Sequence, residues 1–229
     1  ALARLHALPV PPREIRLLTH LARADERDCA MTGEQLARLH GVLERLPAHP
    51  SFAGPGQRPV VSIGNSAGLL GWPAARGDWV RPGLALYGIS PFPEQVGADI
   101  GLLPAMTLES SVIAVRHVPR GETVGYGGTW RAERESTIAI LAAGYGDGVP
   151  RHLASGAPVL FAAGQGTLAG RVSMDMIAVD VTGLPGVRTG DRAVLWGTNL
   201  PVERVAERAG TIPYELVCGV SQRVPLELR

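Results

Sequence analysis

The hydrophobic pattern changes near residue 100, and this change constrains the fold more than any other feature of the 229-residue chain. Before it, short apolar runs alternate with segments of helical periodicity, which is typical of repeated βα units and a parallel sheet. After it, short apolar runs follow one another at close intervals, separated by glycine, proline and charged residues. The sequence therefore predicts an α/β domain over residues 1–98 and a mostly β domain over residues 99–229.

Three short strands are predicted in the first domain, at residues 15–20, 60–63 and 84–89. Helical segments separate them, so the arrangement matches part of a (β/α) barrel. In such folds the functional groups collect at the carboxyl ends of the strands. At these ends lie His20, Asn65, Ser66, Tyr87 and Gly88. Either Asn65 or Ser66 is suited to cap a following helix.

The clearest helix signal follows Thr32 and Gln35, which form a T-x-x-Q capping-box pattern before an apolar stripe of helical period. The stripe consists of Leu36, Leu39, Val42, Leu43 and Leu46. In the second domain a single short helix is predicted at residues 202–209, with Pro201 at its start and Gly210 as its stop.

All 22 basic residues are arginines, because the chain contains no lysine. Such a chain cannot form a Schiff base with a carbonyl group or use an ammonium group for proton transfer. The 21 acidic residues leave a formal net charge of +1 without long runs of one sign. No nucleic-acid or anionic-membrane surface is indicated, so small molecules or other subunits are the expected partners.

Neither a membrane span nor a signal peptide is predicted, because the apolar stretches are short and the first residues lack a basic start. We therefore expect a cytoplasmic location. Cys29 and Cys218 lie far apart, without a CxxC pattern or a Cys/His cluster. Buried free thiols are favoured over a disulfide or a zinc site, and no metal site is expected.

Several segments occur in one order and together resemble the alanine racemase family. They are THLARADE (19–26), NSAG (65–68), RPGLALYG (81–88), VGYGG (124–128), GYGDGVPR (144–151), GRVSMD (170–175) and TIPYE (211–215). The resemblance covers nearly the whole chain and implies a partial (β/α)8 barrel followed by a C-terminal β domain. In that family the cofactor-binding lysine and an arginine that grips the substrate carboxylate precede the segment similar to THLARADE. The chain is thus expected to be a C-terminal part that lacks the N-terminal half of the barrel.

The resemblance implies an enzyme that interconverts L-alanine and D-alanine with pyridoxal 5'-phosphate, using two bases on opposite faces of the cofactor-bound substrate. Tyr126 in VGYGG matches the base for the L-enantiomer. A lysine absent from this chain would be the base for the D-enantiomer. Tyr126 would act on the partner subunit's cofactor, so a homodimer with composite active sites is expected. The D-alanine would supply cell-wall peptidoglycan.

A phenol is a weak base at neutral pH unless its surroundings favour the phenolate, so nearby cations are expected. His20 and Arg81 match family positions that are linked to a tyrosine by hydrogen bonds. Arg81 would also face the pyridine nitrogen of the cofactor. A guanidinium stays charged and would leave that nitrogen unprotonated, which limits side reactions.

The remaining matches concern the cofactor phosphate and the substrate. The phosphate would be surrounded by Ser66, Gly83, Leu84 and Tyr214. The backbone N–H of Met174 would contact the substrate carboxylate, and Tyr145 would narrow the entrance for a small side chain. The substrate corridor would also include Asp25, Arg151, Arg171 and Ile212.

Without the resemblance, these residues have ordinary structural roles: Tyr126 is a loop aromatic, Ser66 a helix cap and Met174 a core side chain. The chain also departs from the family pattern at Gly146, where alanine is common, and at Met176, where glutamine is common. Three alternatives are a non-catalytic fragment or dimerisation module, a racemase of broader specificity that acts on serine or other amino acids, and an unrelated β-rich binding domain.

Overall fold

The computed structural model describes residues 4–5, 7–9, 15–46 and 59–228. They fall into two compact units, the first within Ala1–Leu86 and Pro91–Gln95, the second within Tyr87–Ser90 and Val96–Arg229. The predicted order of an α/β part followed by a mostly β part is confirmed by the elements of each unit. The predicted boundary between residues 98 and 99 stays a prediction.

The first unit contains the strands β1 (Arg16–Leu18), β2 (Val60–Asn65) and β3 (Trp79–Arg81), and the helices α1 (Ala30–Leu43), α2 (Ser66–Gly71) and α3 (Gly83–Leu86). The strands form a parallel sheet in the order β1-β2-β3. Asn65 at the end of β2 is in register with Arg81 at the end of β3. The carboxyl ends of neighbouring strands therefore lie together, as parallel pairing requires.

The predicted capping box at Thr32 and Gln35 is wrong. Helix α1 begins at Ala30, so Thr32 lies inside the helix and is buried. The Gln35 side chain instead bonds the loop after β1: Oε1 accepts from the Ala22 N–H at 3.0 Å, and Nε2 donates to the His20 carbonyl at 3.1 Å. Gln35 thus fixes the backbone beside His20 and does not cap the helix.

The predicted third strand at residues 84–89 is also wrong, because the strand lies earlier, in β3, and the chain then turns into α3. The Leu86 N–H donates to the Pro82 carbonyl at 3.1 Å and closes a helical turn. Proline favours the start of a helix because its φ angle is already suitable. Leu84 is buried while Leu86 is exposed, whereas a strand would place both on one face. Tyr87 therefore does not follow a strand.

The second unit contains eight strands, which are β4 (Leu108–Val118), β5 (Thr123–Val124), β6 (Trp130–Arg131), β7 (Ser136–Leu141), β8 (Pro158–Phe161), β9 (Gly164–Leu168), β10 (Ile177–Asp180) and β11 (Arg192–Trp196). Six of them form a closed antiparallel barrel in the order β10-β7-β4-β11-β8-β9. A separate two-stranded ribbon pairs β5 with β6. Ile138, Leu141, Val159 and Phe161 are among the apolar side chains buried in its core.

The predicted helix at residues 202–209 is confirmed as α4 (Val202–Ala209), and Gly210 ends it in the left-handed conformation with φ 66°. The prediction of a single helix is wrong, because α5 (Pro213–Gly219) follows after a short connection. Cys218 on α5 is exposed and Cys29 is half-buried, so the prediction of buried thiols is wrong for Cys218. In the described part of the chain, no helix combines the length and apolarity needed to cross a membrane.

Glu203 on α4 accepts hydrogen bonds from two backbone N–H groups. One carboxylate oxygen, Oε1, accepts from the N–H of Ser90 and the N–H of Gly97, each at 2.9 Å, and both of these residues are buried. We expect Glu203→Ala to lower the free energy of unfolding by about 2–4 kcal/mol, because each buried donor would lose its acceptor. Glu207→Ala on the exposed face of the same helix should change it by less than about 0.5 kcal/mol. Urea denaturation measures both, and equal losses would contradict the role of Glu203.

Candidate active site

Arg81 forms a fixed cation at the carboxyl edge of the sheet in the first unit. Its Nη1 donates to Ser62 Oγ at 2.6 Å, and its Nη2 donates to the Thr19 carbonyl at 2.7 Å. The same Nη2 lies 3.4 Å from Nδ1 of His20. The structure thus brings together two of the predicted catalytic residues, Arg81 and His20, and holds the guanidinium from two neighbouring segments.

Ser66 lies beside this edge, as the first residue of α2, and is almost fully buried. Its Oγ accepts from the Ala85 N–H of α3 at 3.2 Å, which leaves the hydroxyl hydrogen for another acceptor. Asn65 is the helix cap, because its Oδ1 accepts from the Gly68 N–H at 2.9 Å. Gly83 and Leu84 are the first residues of α3, so three predicted phosphate contacts lie close together.

Tyr126 lies in the second unit, in a short turn that connects β5 to β6. Its side chain is 68% exposed. Gly125 and Gly127 on either side have φ angles of 78° and 73°, which favour glycine. A Cβ atom at Gly127 would lie 3.6 Å from Nη1 of Arg171, so this guanidinium lies against the turn. The predicted corridor residue Arg171 is therefore a cation next to the turn that carries the phenol.

The predicted substrate residues Tyr145 and Met174 lie in two paired loops. The Tyr145 loop (residues 144–148) follows β7, and the Met174 loop (residues 173–176) precedes β10, the strand paired with β7. The Tyr145 N–H donates to the Ser173 carbonyl and the Gly146 N–H donates to the Met174 carbonyl, each at 2.9 Å. Both Tyr145 and Met174 are exposed, so Met174 is not a core residue.

Arg223 joins these two loops, and sequence reasoning missed it. Its Nε donates to Asp147 Oδ1 at 2.8 Å, and its Nη2 donates to Asp175 Oδ1 at 2.7 Å. The hydrogen bond to Asp147 and, as the next largest cause, the hydrogen bond to Asp175 raise the pKa of the Arg223 guanidinium. The partners are 76 and 48 residues away in sequence, so no local motif marks this arrangement.

The other predicted residues are distributed over both units. Asp25 is half-buried in the loop after β1, and Arg151 is exposed just after the Tyr145 loop. Ile212 and Tyr214 are exposed at the start of α5. Tyr214 belongs to the second unit, whereas the other predicted phosphate residues belong to the first. Among the described residues, no group of three or more His, Cys, Asp or Glu side chains is placed to hold a metal ion.

The two units correspond to the two domains of one family of isomerases. Residues 1–91 match the family model "Alanine racemase, N-terminal domain", and residues 105–228 match "Alanine racemase, C-terminal domain". The chain therefore belongs to the alanine racemase family. The predicted fold class, a partial (β/α)8 barrel followed by a C-terminal β domain, is confirmed by these matches and by the solved structures described next.

Relatives with this name span more than this chain does. Alanine racemase of Yersinia pestis is 46% identical over 224 residues, which are 98% of this chain and 59% of the relative. The biosynthetic alanine racemase of Pseudomonas aeruginosa gives a TM-score of 0.88 at 45% identity, over 97% of this chain and 59% of that one. Alanine racemase of Bartonella henselae, solved with covalently bound pyridoxal phosphate, gives 0.79 at 33% identity, over 92% and 55%. The chain thus spans about 59% of the length of such relatives.

Proposed function

We propose that this chain is the C-terminal part of an alanine racemase, which interconverts L-alanine and D-alanine with pyridoxal 5'-phosphate. The observation that carries the proposal is the Arg81 guanidinium, fixed by Ser62 and Thr19 beside the turns that contain Ser66 and Gly83. A charged donor next to a group of neutral donors suits a ligand that has both an aromatic nitrogen and a phosphate.

The donors in the first unit fit the cofactor. Ser66 offers a buried hydroxyl hydrogen, and the start of α3 places the backbone of Gly83 and Leu84 beside it. These residues would hold the phosphate together with the Tyr214 hydroxyl, and Arg81 would face the pyridine nitrogen. When bound, pyridoxal phosphate withdraws electrons from the Cα atom of an amino acid and so makes its proton removable.

Proton transfer on one face is assigned to Tyr126. Its phenol oxygen takes the Cα proton from L-alanine, while a lysine outside this chain supplies a proton on the opposite face. The Arg171 guanidinium lies against the same turn. The active form is a homodimer, in which Tyr126 of one subunit serves the cofactor held by the other.

Substrate selection is assigned to the paired loops. The Met174 N–H binds the alanine carboxylate, and Tyr145 narrows the corridor that also includes Asp25, Arg151, Arg171 and Ile212. The protein is placed in the cytoplasm, where D-alanine would supply peptidoglycan synthesis. Alone, this chain is inactive, because it contains no lysine that can form a Schiff base with the cofactor.

The test compares this chain with the longer protein that carries the lysine. Each is mixed with pyridoxal phosphate, and the formation of D-alanine from L-alanine is followed together with the visible absorbance before and after borohydride. The longer protein should racemise alanine and show absorbance that borohydride removes, and this chain alone should show neither. A longer protein that binds the cofactor but leaves alanine unchanged would overturn the proposal.

Arg81→Gln in the longer protein should change the cofactor absorbance and slow racemisation on the order of 10²-fold, because a neutral amide replaces a fixed cation at the ring. The control is Arg38→Gln, which removes an exposed arginine on α1 that pairs with Glu34 at the surface. Unchanged spectra and rates in Arg81→Gln would remove the role assigned to Arg81.

A further inference from the structure

Arg223 connects two loops that are distant in sequence. Its guanidinium bonds Asp147 of the Tyr145 loop through Nε and Asp175 of the Met174 loop through Nη2. The same Nη2 also lies 3.5 Å from the carbonyl oxygen of Met174. Because a guanidinium is planar and rigid, its two carboxylate partners are held at a set separation.

Asp147 transmits this constraint into its own loop. Its second oxygen, Oδ2, accepts from the Gly144 N–H at 2.8 Å, and its carbonyl accepts from the Ser221 N–H at 3.2 Å. The Asp147 side chain is only 18% exposed. One carboxylate therefore links the start of the Tyr145 loop to the segment that carries Arg223.

Gly146 makes the room that the guanidinium occupies. A Cβ atom at this position would lie 2.5 Å from Nη2 and 2.7 Å from Cζ of Arg223, which is too close for atoms that are not bonded. Gly146 does not have a positive φ angle, so its backbone would accept alanine without strain. A methyl group here would therefore displace the Arg223 guanidinium, the end of a flexible side chain, and would not strain the turn.

We propose that Arg223 is a positioning residue for substrate binding, and that it acts as one unit with Gly146. The guanidinium, seated against Gly146, fixes the Met174 loop on the Tyr145 loop and so sets the distance between the Met174 N–H and the Tyr145 ring. The inference rests on the proposed function, in which these two groups bind and select the amino acid. Arg223 acts through Asp175, the residue that follows Met174.

The kinetic test is made in the longer, lysine-bearing protein. Arg223→Gln should raise the KM for alanine about 10-fold and change kcat less than about 3-fold, because the Met174 contact is made equally in the ground state and the transition state. Arg223→Lys should recover only part of this loss, since one ammonium group cannot replace a planar fork. The control is Arg188→Gln, which removes a guanidinium that pairs with Asp191 at the surface.

A second test needs no activity and uses this 229-residue chain. Amide hydrogen exchange should rise at residues 144–148 and 173–176 in Arg223→Gln, and stay unchanged in strand β7 and in Arg188→Gln. Gly146→Ala should produce the same increase, because its methyl group would displace the guanidinium. Adding Gly146→Ala to Arg223→Gln should then have little further effect.

The two tests separate the inference from the proposed function. Unchanged exchange in Arg223→Gln would overturn the loop coupling, whatever the enzyme does. Faster exchange with an unchanged KM, in a longer protein that racemises alanine, would overturn the positioning role. A wild-type longer protein that does not racemise alanine would contradict the proposed function and leave the loop coupling to be decided by exchange alone.

Discussion

Replacing Tyr126 by phenylalanine in the longer, lysine-bearing protein should slow the conversion of L-alanine by about 10²–10⁴-fold, the usual contribution of a positioned acid or base. The substitution removes only the phenol oxygen, the atom assigned to accept the Cα proton. Because the side chain is 68% exposed in the structure, we expect no loss of stability. The rate of D-alanine formation at saturating L-alanine measures the effect.

Exchange of the Cα proton in heavy water, measured separately for L-alanine and D-alanine, tests which face of the substrate Tyr126 serves. The lysine assigned to the other face is intact in Tyr126→Phe, so loss of the Cα proton from L-alanine should slow far more than loss from D-alanine. Tyr87→Phe is the matched control, since it removes a hydroxyl from another exposed tyrosine to which no role is assigned. If Tyr126→Phe keeps the wild-type rate, or slows both enantiomers equally, Tyr126 is not the base for L-alanine.

Gly88→Ala should lower the free energy of unfolding by about 2–5 kcal/mol, the largest loss of stability that we predict. Backbone strain and overlap of the new Cβ atom with neighbouring backbone atoms act together in this variant. The φ angle of Gly88 is 75°, in the left-handed region. A Cβ atom there would overlap the carbonyl group of Leu103 and lie 2.8 Å from the Cα of Pro104. Neither contact involves a flexible side chain, so neither is relieved by a change of rotamer. Urea denaturation followed by circular dichroism should show the loss in the transition that unfolds the second unit.

Gly101→Ala separates the two causes. Gly101 has nearly the same φ angle, 77°, but among the described residues beyond its chain neighbours no atom lies within 4 Å of the position of its Cβ. Gly101→Ala should therefore lower the free energy of unfolding only by the cost of the strained backbone conformation, about 1–2 kcal/mol. Equal losses in the two variants would mean that the close approach at Gly88 adds nothing.

Local patterns in the sequence predicted most of the β structure. The short apolar runs after residue 100 became strands, and Gly210 ended α4 as expected. The pattern failed at residues 84–89, where two leucines separated by one residue resemble a half-buried strand. Proline at position 82 favoured a helical turn instead, which no periodicity of leucines reveals.

Predicted site residues differ in how far the structure supports them. His20 and Arg81 are in contact, and the loops of Tyr145 and Met174 are paired, as expected for residues of one site. Their roles stay predictions. The hydrogen bonds of Gln35 and Arg223 were not anticipated, because each residue bonds groups brought near by the tertiary fold. For Gln35 the local pattern predicted a helix cap instead.

The strand pairing of the closed barrel stabilises the second unit, and the two loops at one end of the barrel take no part in that pairing. Every strand of the barrel has two neighbours, so its register is held all around and no open edge is left for pairing with another chain. The Tyr145 and Met174 loops lie outside this ladder, at one end of two adjacent strands. Loop side chains that take no part in the Arg223 contacts can therefore diverge, or be exchanged by design, while the scaffold stays the same. If the two loops select the substrate as proposed, a change of substrate would require substitutions only in these short loops and in the arginine that joins them.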